Sequence, residues 1–86
     1  MRVTVRGKRW ALRFTALRKC HGSCESPTTK RKEIRINSRL KGVKLLDTLV
    51  HELLHAGGWD MSEEWVHEMG TDIAKALWDL GYRRKT

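Results

Sequence analysis

The chain has 86 residues, enough for one hydrophobic core, so it reads as a single domain spanning 1–86. Lys and Arg number 18 against 10 Asp and Glu, a formal net charge of +8, so a polyanion or an acidic protein is a more natural partner than a basic one. No run approaches the roughly 18 consecutive apolar residues of a membrane span, because residues 45–56 are interrupted by Asp47, His51, Glu52 and His55.

Charge is unevenly placed. Residues 1–44 hold 14 Lys and Arg against Glu25 and Glu33, whereas residues 45–86 hold four against eight acids. The basic N-terminal half makes nucleic acid a candidate partner, to be weighed against a plain solvated surface. It has no aromatic-basic strip of the kind that binds single strands. Arg2, Arg6, Lys8, Arg9 and Arg13 are spread through the N-terminus and no apolar run follows them. The expectation is therefore a cytoplasmic protein without a secretion signal, with no membrane contact and with Cys20 and Cys24 as free thiols.

In chain order, Val3 and Val5, then Trp10, Leu12 and Phe14, alternate with polar or small residues at period two, the pattern of half-buried strands. Gly7-Lys8 between them suits a type II′ turn, so residues 2–16 read as a hairpin. Residues 19–30 carry turn chemistry (His21, Gly22, Ser23, Ser26, Pro27) and read as an exposed loop. Ile34 and Ile36 mark a third short strand. From residue 43 to 57 the apolar spacing becomes helical, through Leu45, Leu46, Leu49, Val50, Leu53 and Leu54, and left-handed glycines at 57 and 58 are expected to stop the helix. A second helix is predicted over 61–80, capped near Asp60 or Ser62, with Val66, Met69, Ile73, Leu77 and Leu80 as its apolar stripe and Gly81 as its stop. The order implies an α+β fold: a short antiparallel three-stranded sheet over the basic region 1–37, packed against two helices.

The most informative string is His51-Glu52-Leu53-Leu54-His55. Two histidines four apart on a helix lie about 40° from one another around the axis and one turn apart, so both imidazoles can face one zinc ion. Glu52, next to the first histidine, is placed to act as general base toward a zinc-activated water attacking a carbonyl. Two surface histidines on an amphipathic helix would give the same letters. However, three of the chain's four histidines fall between 51 and 67, which favours a ligand set.

A catalytic zinc takes three protein ligands and an open position. On the second helix Glu63 falls at the edge of the predicted buried stripe, His67 about 40° farther out and Glu64 about 100° out. Glu63 ranks first, then His67, then Glu64, with Asp60 in the turn behind them. A capping box would also place an acid at Glu63 if Asp60 were the N-cap. His67 could instead support the ligands or stabilise an oxyanion, a role also open to Tyr82. Cys20, His21 and Cys24 form a second group that lacks a fourth zinc ligand.

The string HELLHA, a short turn, a helix opening with SEEWV and closing with LWDLGYRR together resemble the small SprT-like, or minimal zincin, metallopeptidases found in phages and prophages. The resemblance covers residues 33–83, with the upstream RGKRW and KEIRI strands fitting more loosely. It implies a zinc-binding active-site helix on a short sheet, His51 and His55 as ligands, Glu52 as catalytic residue and a third ligand on the next helix. It also implies a phage-encoded enzyme working in host cytoplasm. Larger SprT and Spartan-type relatives act on DNA-bound proteins through additional regions that this chain has no room for. The metzincin string HExxHxxGxxH departs at its last position, which is Met61 here. The expected function is thus a zinc-dependent metallopeptidase whose open cleft takes an extended peptide along a sheet edge. The alternative is a non-enzymatic, zinc-stabilised basic module for nucleic acid or an acidic protein. The motif also allows a hydrolase acting on something other than peptides.

Overall fold

The N-terminal alternation produces β1 (Arg2–Val5) and β2 (Lys8–Thr15), antiparallel and in register from Arg2↔Ala11 to Val5↔Lys8. The computed structural model describes residues 1–85. The two-residue turn is Arg6-Gly7, one position earlier than the sequence suggests. Both have positive φ, 48° and 78°, so the turn is type I′. Arg6 is held in this uncommon conformation by its guanidinium, whose Nη1 donates to the carbonyl of Gly57 at 3.0 Å and ties the hairpin to a helix end.

The class is α+β, but the sheet differs from the expected antiparallel three strands. It has four strands in the order β1-β2-β4-β3, with β3 at Gly22–Cys24 and β4 at Glu33–Asn37. The β2–β4 pair is parallel (Leu12↔Ile34, Phe14↔Ile36), while β3 runs antiparallel to β4. Residues 16–32, read from sequence as a loop, carry the chain back to the start of the sheet and contribute β3 on the way. A parallel pair needs such a crossover.

Trp10 and Leu12 of β2 and Ile34 and Ile36 of β4 form the core with Ala56, covered by Leu45, Leu49 and Leu53. Those leucines belong to α1 (Gly42–Gly57), which lies across one face of the sheet. The second helix, α2 (Glu63–Asp79), packs on α1 and, among the described residues, on no strand. The molecule is therefore layered as sheet, α1, α2, rather than as two helices side by side on the sheet. The reason lies in the buried face of α2, which is Val66, Gly70 and Ala74. Met69 and Leu80 of the predicted stripe are exposed. A Cβ at Gly70 would come 3.4 Å from the Cα of His51, in ordinary contact, so the helices approach until there is room for a methyl and little more.

The helix ends follow local chemistry. Ser62 caps α2, its Oγ accepting from the amide of Trp65 at 3.1 Å. The C-terminus closes with Tyr82 N–H to the Leu77 carbonyl and Gly81 N–H to the Trp78 carbonyl, a Schellman motif with Gly81 at φ 95°. At the end of α1, Gly58 has φ −133° and is not left-handed as expected. A Cβ there would instead meet Met61 Cγ at 3.0 Å.

Candidate metal centre

With Ser62 as the N-cap, Glu63 is the first helical residue rather than the third, and the capping-box role for it falls away. At about 100° per residue, Glu63, Val66, Gly70 and Ala74 fall within roughly 80° of one another. Glu63 therefore shares the face of α2 that meets α1, not its edge. The approach permitted by Gly70 lies against the backbone of His51, about two turns along from Glu63.

Three ligand atoms converge there. Glu63 Oε1 lies 3.0 Å from His51 Nε2 and 3.2 Å from His55 Nε2, and the two imidazole nitrogens are 3.1 Å apart. A tetrahedral zinc with bonds of about 2.0–2.1 Å separates its ligand atoms by about 3.3 Å, so this triangle has the dimensions of one face of such a site. Mutual hydrogen bonding explains it poorly, since each imidazole Nε2 has at most one proton to direct at two neighbours. Among the described residues this is the group of His, Cys, Asp and Glu side chains that could hold a metal ion. The imidazoles are half-buried and the carboxylate is open to solvent, which leaves one side of the triangle accessible.

Glu52 does not join the triangle. It is buried in α1 beside it, and burial pushes its carboxyl above the ordinary range; His51 opposes that shift and Glu63 adds to it. Burial also acts to raise Glu63, but His55 and His51 outweigh it and hold that carboxyl below the ordinary range. The two acids of the site are thus driven in opposite directions, one toward holding a proton and one toward staying charged.

The wall facing Glu52 is β3. A Cβ on Gly22 would sit 2.9 Å from Thr48 Cγ2, 3.0 Å from Glu52 Cγ and 3.0 Å from the Arg35 carbonyl oxygen, so only glycine lets the strand come this close. His21 accepts from Asn37 N–H, and Glu25 N–H donates to Glu33, so the odd-numbered residues of β3 face β4. The N–H and C=O of Gly22 and Cys24 consequently point to the free edge of the sheet. Together with Trp59 and Met61, these residues line an open cleft of about 560 Å³ over His51, Glu52, His55 and Glu63.

Comparison with protein-family models, curated proteins and solved structures finds no match.

The structure brings His51, His55 and Glu63 together and sets Glu52 beside them. His67 stays outside the triangle, its ring centroid 6.4 Å from that of His51, and lines a neighbouring recess of about 220 Å³ with His21, Lys44 and Asp47. Glu64 faces a different surface hollow with Trp65 and Glu68. Asp60 stays exposed in the turn. Tyr82 is 62% exposed in the apolar region around Leu77 and Trp78, too far along α2 to serve the cleft. Cys20, His21 and Cys24 do not gather into a ligand set. The Cys24 thiol, pushed up to about 12 by burial and then by Glu52 and Glu25, stays protonated at neutral pH and is no thiolate ligand. Sequence reasoning missed Gly22 and Thr48, whose importance lies wholly in what they touch.

Proposed function

We propose that the protein is a zinc-dependent metallopeptidase of the HExxH class, with His51, His55 and Glu63 as metal ligands and Glu52 as general base. The observation that carries this reading is the triangle of Nε2, Nε2 and Oε1 atoms, 3.0–3.2 Å on each side, with a buried carboxylate one residue from the first ligand. The donor set fits zinc: two imidazoles and one carboxylate, spaced like one face of a tetrahedron and open on one side. The resemblance to SprT-like minimal zincins, drawn from HELLHA and the helix that follows, supports the same assignment.

When bound, zinc supplies Lewis-acid polarisation of a substrate carbonyl and makes a nearby water acidic enough to attack at neutral pH. The chain's residues supply the rest. Glu52 takes the proton from the attacking water and returns it to the departing amine, a task that its raised proton affinity suits. The free N–H and C=O groups of Gly22 and Cys24 offer an extended peptide an added-strand register beside the site. Trp59 and Met61, both exposed at the cleft, offer apolar surface to its side chains.

The test is cleavage of an unfolded protein or a peptide library by zinc-loaded protein, compared with Glu52→Gln. The wild type is expected to cleave. The variant is expected to keep its zinc and lose activity by about 10²–10⁴-fold. Cleavage that survives Glu52→Gln undiminished would overturn the assignment.

A further inference from the structure

The face of the sheet turned away from α1 carries a feature that the metal centre does not use. Strand alternation and register put Arg2, Arg13 and Arg35 on this face, with Arg13 directly beside Arg35 across the parallel β2–β4 pair. With Arg84 they surround a shallow hollow of about 1050 Å³, and Arg9 flanks it on β2. Glu33 forms the floor. Its Oε1 lies 2.9 Å from Arg35 Nε and 3.6 Å from Arg13 Nε, while the two arginine side chains are 45% and 61% exposed.

A guanidinium has five N–H donors in a planar fork, and one carboxylate oxygen at Nε leaves the terminal NH₂ groups free. Glu33 thus holds Arg35 by a hydrogen bond and Arg13 by a longer ion pair without consuming their terminal NH₂ donors, which lowers the cost of ordering them on a ligand. Neighbouring, half-exposed guanidinium forks on a polar, open surface suit phosphate oxygens. Phosphates in series match several such forks at once. Trp10 is buried in the core and Phe14, at the rim of the hollow, is covered by the Arg84 guanidinium 3.7 Å above its ring, so this face has no free aromatic strip on which unpaired bases would stack.

We propose that this outer sheet face binds the sugar-phosphate backbone of a nucleic-acid duplex, largely without regard to base sequence. It lies on the side of the sheet opposite α1, so a bound duplex leaves the cleft free. The inference stands on the arginine face alone and holds whether or not the chain is a peptidase.

The experiment is fluorescence anisotropy of a labelled, mixed-sequence DNA duplex titrated with the full chain at several salt concentrations. Four phosphate contacts predict a slope of log K against log salt near −3 to −4, or about 10²-fold weaker binding at 200 mM than at 50 mM salt. Arg13→Gln with Arg84→Gln is expected to shallow the slope by about 2, and Arg2→Gln alone, which breaks no ion pair, by about 1. Lys41→Gln with Lys44→Gln removes as much charge at the start of α1 and is expected to leave the slope unchanged. Glu52→Gln should bind like the wild type, which separates this result from the fate of the peptidase reading. Absence of binding at 50 mM salt, equal losses in the two double variants, or polyglutamate competing as well as unlabelled duplex would each overturn the proposal.

Discussion

Two glutamates, one in each half of the molecule, are both 7% exposed and behave in opposite ways, because Glu33 lies under two exposed arginines on the open face of the sheet whereas Glu52 lies deep between α1 and β3. Glu33, in the sheet, is held below the ordinary carboxyl range, first by its hydrogen bond to Arg35 and then by the charges of Arg35, Arg13 and Arg31. Glu52, in α1, is pushed above that range because burial dominates and Glu63 offsets part of the help from His51. Low exposure alone therefore does not decide what a carboxylate is for; its depth and its charged neighbours do. In the sheet, cationic neighbours turn a buried acid into an anchor for arginines, whereas in the helix their scarcity leaves one that takes up a proton readily.

The largest effect is expected where the two regions touch. A Cβ at Gly22 would lie 3.0 Å from both Glu52 Cγ and the Arg35 carbonyl oxygen, so Gly22→Val must move the helix carboxylate or the strand. Peptide hydrolysis by the zinc-loaded protein should fall by about 10²-fold with zinc still bound, as steady-state kinetics beside metal analysis would show. Unchanged kinetics would mean that the Glu52 position matters little. Gly70→Val, which forces α2 away from His51, is expected to destabilise the fold by about 1–3 kcal/mol in urea and to weaken zinc affinity by about tenfold, because Glu63 travels with the helix.

Smaller effects sharpen the contrast through pH. For Glu33 the folded carboxyl titrates below its ordinary value of 4.5, so its stabilisation is present above that value and is lost as pH falls through the folded one. Glu33→Gln should therefore cost about 1 kcal/mol near neutrality, shrinking toward zero in acid, as urea melts across pH would measure. Metal-free Glu52→Gln should do the reverse. The wild-type folded carboxyl titrates above 4.5, so its ionisation penalises the fold as pH rises through the raised value, and the variant should become the more stable protein at neutral pH. Parallel pH profiles for the two variants would erase the distinction drawn between the halves.

How much of this was legible beforehand depended on the range of the forces involved. Both helices could be read to within about two residues, because their apolar spacing and end residues are local signals. The strands around Val3, Leu12 and Ile34 could be read from alternation for the same reason. β3 could not: Gly22-Ser23-Cys24 has no alternation and sits among turn residues, and its strand geometry comes from pairing with Arg35 and Ile36, more than ten positions away. The parallel direction of β2 and β4 is likewise a property of the crossover. On α2, counting large apolar residues selected Met69 and Leu80, whereas the helix contact uses Gly70 and Ala74, small residues that such a count passes over. In the site, the spacing of His51, Glu52 and His55 and the ranking of Glu63 were readable. The wall formed by Gly22, Thr48 and Cys24 was not, because it depends on where β3 lies.

The three-atom triangle between α1 and α2 is assigned to zinc, and the metal content of the chain decides that assignment. Protein purified without chelator and analysed by mass spectrometry and zinc-edge X-ray absorption is expected to carry one zinc per chain, with nitrogen and oxygen neighbours at about 2.0–2.1 Å and no sulfur. Replacing His55 or Glu63 with Ala should weaken its retention. Protein free of zinc, or zinc surrounded by sulfur and retained equally by both variants, would contradict it.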